Sequence, residues 1–296
     1  MAKAGTVRIG ISGWTYKPWR GVFYPEHLRQ KDELKFASRA FRSIEINGTF
    51  YGTQRPPSFA KWAASTPDDF MFSVKAPRFI THIQRLRDVE RSVANFFAGG
   101  VLVLGPKLGP ILWQFPATMK FDATLFETFF ALLPHDTTQA VALAKQHDAR
   151  LNGRDYLETD AHRPVRHAVE IRSETFRSAA FIKLLRRYKI ALVCADTVAW
   201  PRLMDVTAEF MYCRLHGAEQ RYASGYDGAA LDGWARRIDA WRNGREPDDA
   251  ERVSGPAKPR KSGRDVFVYF DNDLKIRAPC DAAALAERLG ASYRAV

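Results

Sequence analysis

Eight short β-rich runs, at 7–14, 43–47, 70–75, 111–114, 167–172, 190–196, 210–216 and 266–273, alternate polar with apolar residues, and no other feature constrains this chain as strongly. Successive strand side chains point to opposite faces, so each run divides into two sets. One set is almost purely apolar, running from Ile9 and Ile11 through Ile44, Ile46, Phe72 and Val74 to Val193, Ala195, Val268 and Phe270. The other holds Ser12, Trp14, Glu45, Asn47, Lys75, Gln114, Glu170, Arg172, Asp196, Arg214, His216, Tyr269 and Asp271. Its polar members crowd the C-terminal ends of the runs.

Segments with apolar residues at helical spacing lie between most of the runs, at 37–41, 59–64, 89–97, 125–132, 181–188, 231–241 and 284–289. Strands alternating with helices require parallel pairing and crossover connections. The pattern therefore predicts an α/β chain folded as a single (β/α)8 TIM-type barrel spanning 1–296, a size consistent with the ~250 residues typical of that architecture. The apolar set then faces the helices, and the polar set lines the interior near the C-terminal rim, where such barrels carry their active sites.

Composition narrows the class. No apolar stretch is long enough to span a bilayer, and MAKAGTVRIG lacks the apolar core of a signal peptide, so a cytoplasmic protein is expected. Cys194, Cys213 and Cys280 form no CxxC pair, which argues against a thiolate zinc site. The net charge of +12 invites a nucleic-acid reading. The predicted mouth, however, sets Lys75, Arg172 and Arg214 against Glu45, Glu170, Asp196 and Asp271, so the excess charge lies elsewhere. Part of it lies in 244–264, a Gly-, Pro- and charge-rich segment without apolar periodicity, which reads as an exposed insert whose Lys258, Arg260, Lys261 and Arg264 could touch phosphates. A second long connection, 134–166, contains a helix-like stretch at 139–149, and its His147–Asp148 pair suits capping better than catalysis.

The chain carries no P-loop, HExxH, GxSxG or GxGxxG signature. It does carry IGISGWTYKPWRGVFYP, then SIEINGTFYGTQRPPSFAKWAASTPDDFMFSVKAP with ITH close behind, KLGPILWQFP, RHAVEIRSETF, YCRLHGAEQRY and VFVYFDND. With these motifs in this order the chain resembles the YecE-like family, a domain of unknown function (family number 72) with a TIM-barrel-like fold. The resemblance implies the barrel and a shared rim onto which Trp14, Glu45, Asn47, Lys75, Gln114, Glu170, Arg172, Arg214, His216 and Asn272 map. It implies no reaction, so function has to be argued from the site.

Buried charges are costly unless paired, and three cations facing four carboxylates leave one carboxylate over. Either that group is protonated and acts as a general acid, or an outside cation joins it. Magnesium or manganese would suit the oxygen-rich set, and no cofactor is the simpler expectation. The residues thus predict an enzyme acting on a small polar or anionic substrate by hydrolase-like acid/base chemistry. Glu45 and Glu170 are acid and base, with Lys75 and His216 also catalytic. Trp14, Asn47, Gln114, Arg172, Asp196, Arg214, Tyr269, Asp271 and Asn272 bind substrate. A Schiff-base role for Lys75 is disfavoured at this level, because carboxylate partners would keep its amine protonated. Rings at Trp14, Tyr16, Trp19, Phe23, Tyr24, Phe50 and Tyr51 can stack a ligand or pack the loops. Arg221, Tyr222 and Tyr226 could cover the mouth. The alternative is a nucleic-acid-binding or nucleic-acid-processing protein that uses the basic exterior.

Overall fold

In the computed structural model the described residues are 3–217, 225–257, 259–272 and 276–291. Arg221, Tyr222, Lys258 and Asp273 lie outside them. The eight runs form strands β1 Val7–Ser12, β2 Ser43–Ile46, β3 Met71–Lys75, β4 Leu108–Gln114, β5 His167–Glu170, β6 Ala191–Asp196, β7 Phe210–Leu215 and β8 Asp265–Phe270. All pair in parallel in sequence order, and β1 pairs with β8 to close the barrel.

Helices follow every strand but β6, where residues 197–209 contain none: α1 Glu33–Ala40, α2 Gly48–Tyr51, which the periodicity did not predict, α3 Pro56–Ser65, α4 Glu90–Ala98, α5 Ala123–Leu132, α6 Thr137–Ala144, α7 Ala179–Arg187, α8 Gly228–Arg242 and α9 Arg277–Arg288. Asp122, Asp136 and Asp227 start α5, α6 and α8, each accepting a hydrogen bond from the amide three residues on. α6 ends well before the predicted boundary at Ala149. Asp148 caps a short 3-10 turn at Ala149–Leu151 and is tied to Asn95 of α4 (2.8 Å), which draws the chain away from the α6 axis.

Two apolar clusters sit on either side of the barrel wall. The larger joins Ile9, Ile11, Ile44, Phe72, Val74, Trp113, Val169 and Phe270 to the helices. The smaller fills the barrel with Leu112, Ala168, Phe210, Tyr212, Phe267 and Tyr269. β6 departs from expectation, because Val193 and Ala195 belong to the interior cluster while Leu192 and Cys194 face the helices. The whole strand is buried and its neighbours on both faces are apolar, so alternation carries no directional information there.

The 244–264 segment is not a free insert. The Met204 amide donates to the Glu251 carbonyl (2.8 Å), and Asp205 accepts from the amides of Val253 (2.8 Å) and Ser254 (2.9 Å). Of its cations, Arg264 is buried and Arg260 lies 3.2 Å from Glu209. Lys261 is exposed, and Lys258 lies outside the described residues.

Candidate functional site at the barrel mouth

Strand register brings the polar residues together. Ser12 pairs with Glu45, Gln114 with Glu170, and Arg214 with Tyr269. Arg214 stands at the centre. Its Nε and Nη2 donate to Glu45 Oε2 (3.1 Å) and Oε1 (2.9 Å), Nη1 donates to Glu170 Oε2 (2.6 Å), and Nη2 also reaches Asp271 Oδ2 (2.7 Å). Glu45 additionally accepts from Ser12 Oγ (2.9 Å) and the Tyr212 hydroxyl (2.6 Å). Arg172 donates to Glu170 Oε1 (2.8 Å) and stacks 4.1 Å over the Trp200 ring. His216 Nδ1 lies 3.2 Å from Asp271 Oδ2, its ring edge-on to Trp200.

These pairings set the charge states. Burial would raise the Glu170 carboxyl, but Arg214 and Arg172 outweigh it and hold the group well below the usual carboxylate range. Asp271 is lowered in the same way, burial again being overcome by Arg214 and the His216 contact. Burial lowers Arg214, yet its carboxylates raise it well above an ordinary guanidinium. Glu45 and Glu170 are thus a frame around a cation. With two oxygens engaged by four donors, Glu45 has no free edge for substrate.

Three residues expected at the rim point elsewhere. Asp196 accepts from Trp234 Nε1 of α8 (3.0 Å) and Arg202 (3.1 Å), on the helix-facing side of β6. Asn272 donates to Asp281 of α9 (2.9 Å). Trp14 packs edge-on to Trp62 of α3 at 5.5 Å. Gly13, at φ +84°, ends the strand alternation before it reaches Trp14. Tyr269 does face the interior but lies beneath the charges, its hydroxyl 2.6 Å from Ser43 Oγ and its ring on Tyr212. The first-loop aromatics are packing, with Trp19 and Tyr24 fully buried. Tyr226 is also core, packed on Phe270.

Removing Asp196 changes the charge count. Lys75, Arg172 and Arg214 now face Glu45, Glu170 and Asp271, so the expected surplus carboxylate does not exist. Among the described residues, no group of three or more His, Cys, Asp and Glu side chains is placed to hold a metal ion.

Lys75 departs further from expectation. It ends β3 on the interior parity, is 7% exposed, and its Nζ lies 4.3 Å from the Phe50 ring centre. Arg214 has taken the carboxylates, and among the described residues Lys75 Nζ has neither hydrogen bond nor ion pair. Burial, followed by the Arg214 charge, lowers its pKa to about 8 despite the opposing pull of Glu45, Asp271 and Glu170. Among the described residues the direct carboxylate partners expected for this amine are therefore missing, and its pKa lies closer to neutrality than that of an ordinary lysine. Among the described residues, Gln114 Oε1 and Asn47 Oδ1 are likewise buried without a hydrogen-bond partner.

Sequence reasoning missed Tyr212, Trp200 and His82. Tyr212 was legible, standing two residues before Arg214 and hence on the same face. Trp200 lies on an irregular stretch with no periodicity. His82 lies on the π turn Phe79–Ile83, its ring 5.1 Å from Phe50 and its pKa lowered to about 4 by burial and then by Arg172 and Lys75, which keeps it neutral. Beside the mouth, Thr49, Arg55, Phe79 and Arg154 help line a cleft of about 470 Å³ that does not include the charged cluster.

Comparison with known proteins agrees with this architecture. The chain is 30% identical to the UPF0759 protein YecE of Escherichia coli K12 over 112 residues, 38% of each chain. It is also 30% identical to the UPF0759 protein YunF of Bacillus subtilis 168 over 115 residues, 37% of this chain and 40% of YunF. The matched stretch thus spans about two fifths of either curated relative. Among solved structures, a DUF72 family protein from Thermotoga maritima superposes with a TM-score of 0.67 at 24% identity, over 96% of this chain and 99% of that one. Another, from Enterococcus faecalis V583, gives 0.69 at 16% identity, over 97% of each chain. The profile of the family described as "Protein of unknown function DUF72" matches residues 8–296, and the chain belongs to that family.

Proposed function

We propose that the mouth is the active site of an enzyme acting on a small anionic substrate by acid/base chemistry. The supporting observation is the contrast within one cluster. The carboxylates of Glu45, Glu170 and Asp271 are paired with cations, while among the described residues Gln114 Oε1 and Asn47 Oδ1 are buried without hydrogen-bond partners, and Lys75, 7% exposed, has neither hydrogen bond nor ion pair. Each buried unsatisfied group costs about 1–3 kcal/mol. A chain that keeps two such acceptors at the ends of β2 and β4, with Lys75 and the stacked Arg172 as donors, presents donors and acceptors to a ligand.

In this reading Glu45 and Glu170 do not transfer protons. They fix Arg214, while Lys75 and Arg172 supply positive charge to the substrate anion. Gln114 and Asn47 orient its polar atoms. Proton transfer falls to the groups that Arg214 does not engage, namely Lys75 and the imidazoles of His216 and His82.

The test is thermal stabilisation by a panel of small anions: phosphate, malonate, citrate and glycerol phosphate. At least one should raise the melting temperature of the wild type, and Arg172→Ala should abolish the rise while the apo protein stays folded. A panel without effect on the wild type, or an effect unchanged in Arg172→Ala, would remove the anion site.

A further inference from the structure

We propose that Lys75 is a covalent carbonyl-capturing residue, its ε-amine forming a Schiff base at the barrel mouth with a small aldehyde or ketone that carries an anionic group. The anionic part of this inference rests on the reading above, whereas the amine chemistry stands on the surroundings of Lys75.

A lysine becomes a nucleophile when it is desolvated, unpaired and beside another cation. Lys75 meets all three conditions. It is almost fully buried, it has no hydrogen bond or ion pair among the described residues, and Arg214 on β7 opposes its protonation. The face of Phe50 attracts an ammonium but offers no acceptor lone pair. The charged and titratable groups facing it are Glu45 from β2, Glu170 from β5, Arg214 from β7, Asp271 after β8, and His82 from the π turn. Arg214 binds all three carboxylates directly, which limits their pull on the amine.

The chemistry balances without an oxidant or reductant. The neutral amine adds its lone pair to the carbonyl carbon, and the π electrons move to oxygen. Nitrogen loses a proton as oxygen gains one, giving a carbinolamine. Protonation and loss of the hydroxyl as water leave a protonated imine, so ammonium plus carbonyl gives iminium plus water. The cation so formed occupies the place of the former ammonium, and the charge of the mouth is unchanged. Gln114 Oε1 and Asn47 Oδ1 are acceptors available to the carbinolamine hydroxyl.

With a pKa of about 8, Lys75 holds roughly two orders of magnitude more neutral amine at pH 7 than an ordinary lysine. The experiment treats the full chain with glyoxylate, pyruvate or glycolaldehyde phosphate, and with acetaldehyde as the uncharged probe, in the presence of cyanoborohydride. Reduced adducts are located by peptide mass mapping. With at least one anionic probe, the adduct should form on Lys75 on the order of a hundredfold faster than on surface lysines, the rate rising with pH and levelling above about 8. Lys75→Arg and Lys75→Met, each checked for fold by circular dichroism, should lose that adduct and keep the slow surface labelling.

Adducts scattered over surface lysines with Lys75 unmodified by all four probes would overturn the proposal. If phosphate or malonate stabilises the protein while no Lys75 adduct forms, the anion site stands and the covalent step falls. If Lys75 labels as fast with acetaldehyde as with glyoxylate, and no anion stabilises the protein, the reactive amine stands and its anionic substrate class is overturned.

Discussion

Arg214 holds Glu45 through two hydrogen bonds, Nε to Oε2 at 3.1 Å and Nη2 to Oε1 at 2.9 Å, with both side chains fully buried inside the barrel. The pair joins β7 to β2 across the barrel interior and leaves the remaining guanidinium donors for Glu170 and Asp271. Removing one partner strands charge in a low-dielectric interior. Arg214→Met should therefore destabilise by about 3–5 kcal/mol, and Glu45→Gln, whose amide cannot accept from every donor around it, by about 3 kcal/mol. Urea denaturation would measure both. Midpoints equal to wild type would remove the framing role given to these residues.

The stability of the protein should depend on acid through Glu170 and Asp271. Both have folded pKa values below their unfolded values near 4, so their contribution is present above about pH 4 and is lost as pH falls through the folded values. Wild type should lose stability steadily below about pH 4, and Glu170→Gln should flatten that slope while lowering stability at pH 7. Lys75 has the opposite form, since its folded pKa near 8 lies below an unfolded value near 10.4. The unfolded state binds more protons between those values, so stability should rise with pH across that window. Lys75→Met should abolish the alkaline rise and stabilise the protein at pH 7 by about 1–3 kcal/mol. Denaturation curves from pH 2 to 10.5 test both signs.

Gln114→Leu separates a ligand contact from a structural one. Its Oε1 is buried without a partner among the described residues, so an apolar residue of similar size should raise the melting temperature by roughly 2–4 °C, equivalent to about 1 kcal/mol in a chain of this size. Anion-induced stabilisation should fall in the same variant. A lower melting temperature with intact anion response would mean that the amide serves the fold.

Asp196 provides a control outside the mouth. Asp196→Asn weakens its bonds to Arg202 and Trp234 and should cost about 1–2 kcal/mol. Anion binding and Lys75 labelling should stay at wild-type levels, because the side chain faces α8 rather than the barrel interior. Loss of either activity without loss of stability would return Asp196 to the rim.

Where one face of a strand differs chemically from the other, the barrel was legible in the linear order of residues. The Ile9–Ile11, Ile44–Ile46 and Phe72–Val74 pairs face the helices, and Glu45, Lys75, Gln114, Glu170 and Arg214 line the interior, because a period of two leaves one assignment that buries the apolar set. β6 is apolar on both faces, so its orientation came from packing. Gly13 turned Trp14 out of register through a backbone angle that alternation cannot register. The charge states lay beyond the sequence altogether. Strand alternation placed three cations and four carboxylates at the predicted mouth, but closure of the barrel decided that Asp196 would leave it. It also decided that Arg214 would bind three acids at once and that Lys75 would have none among the described residues. Pairing energies depend on distance and burial, and both arise only when strands far apart in the chain become neighbours.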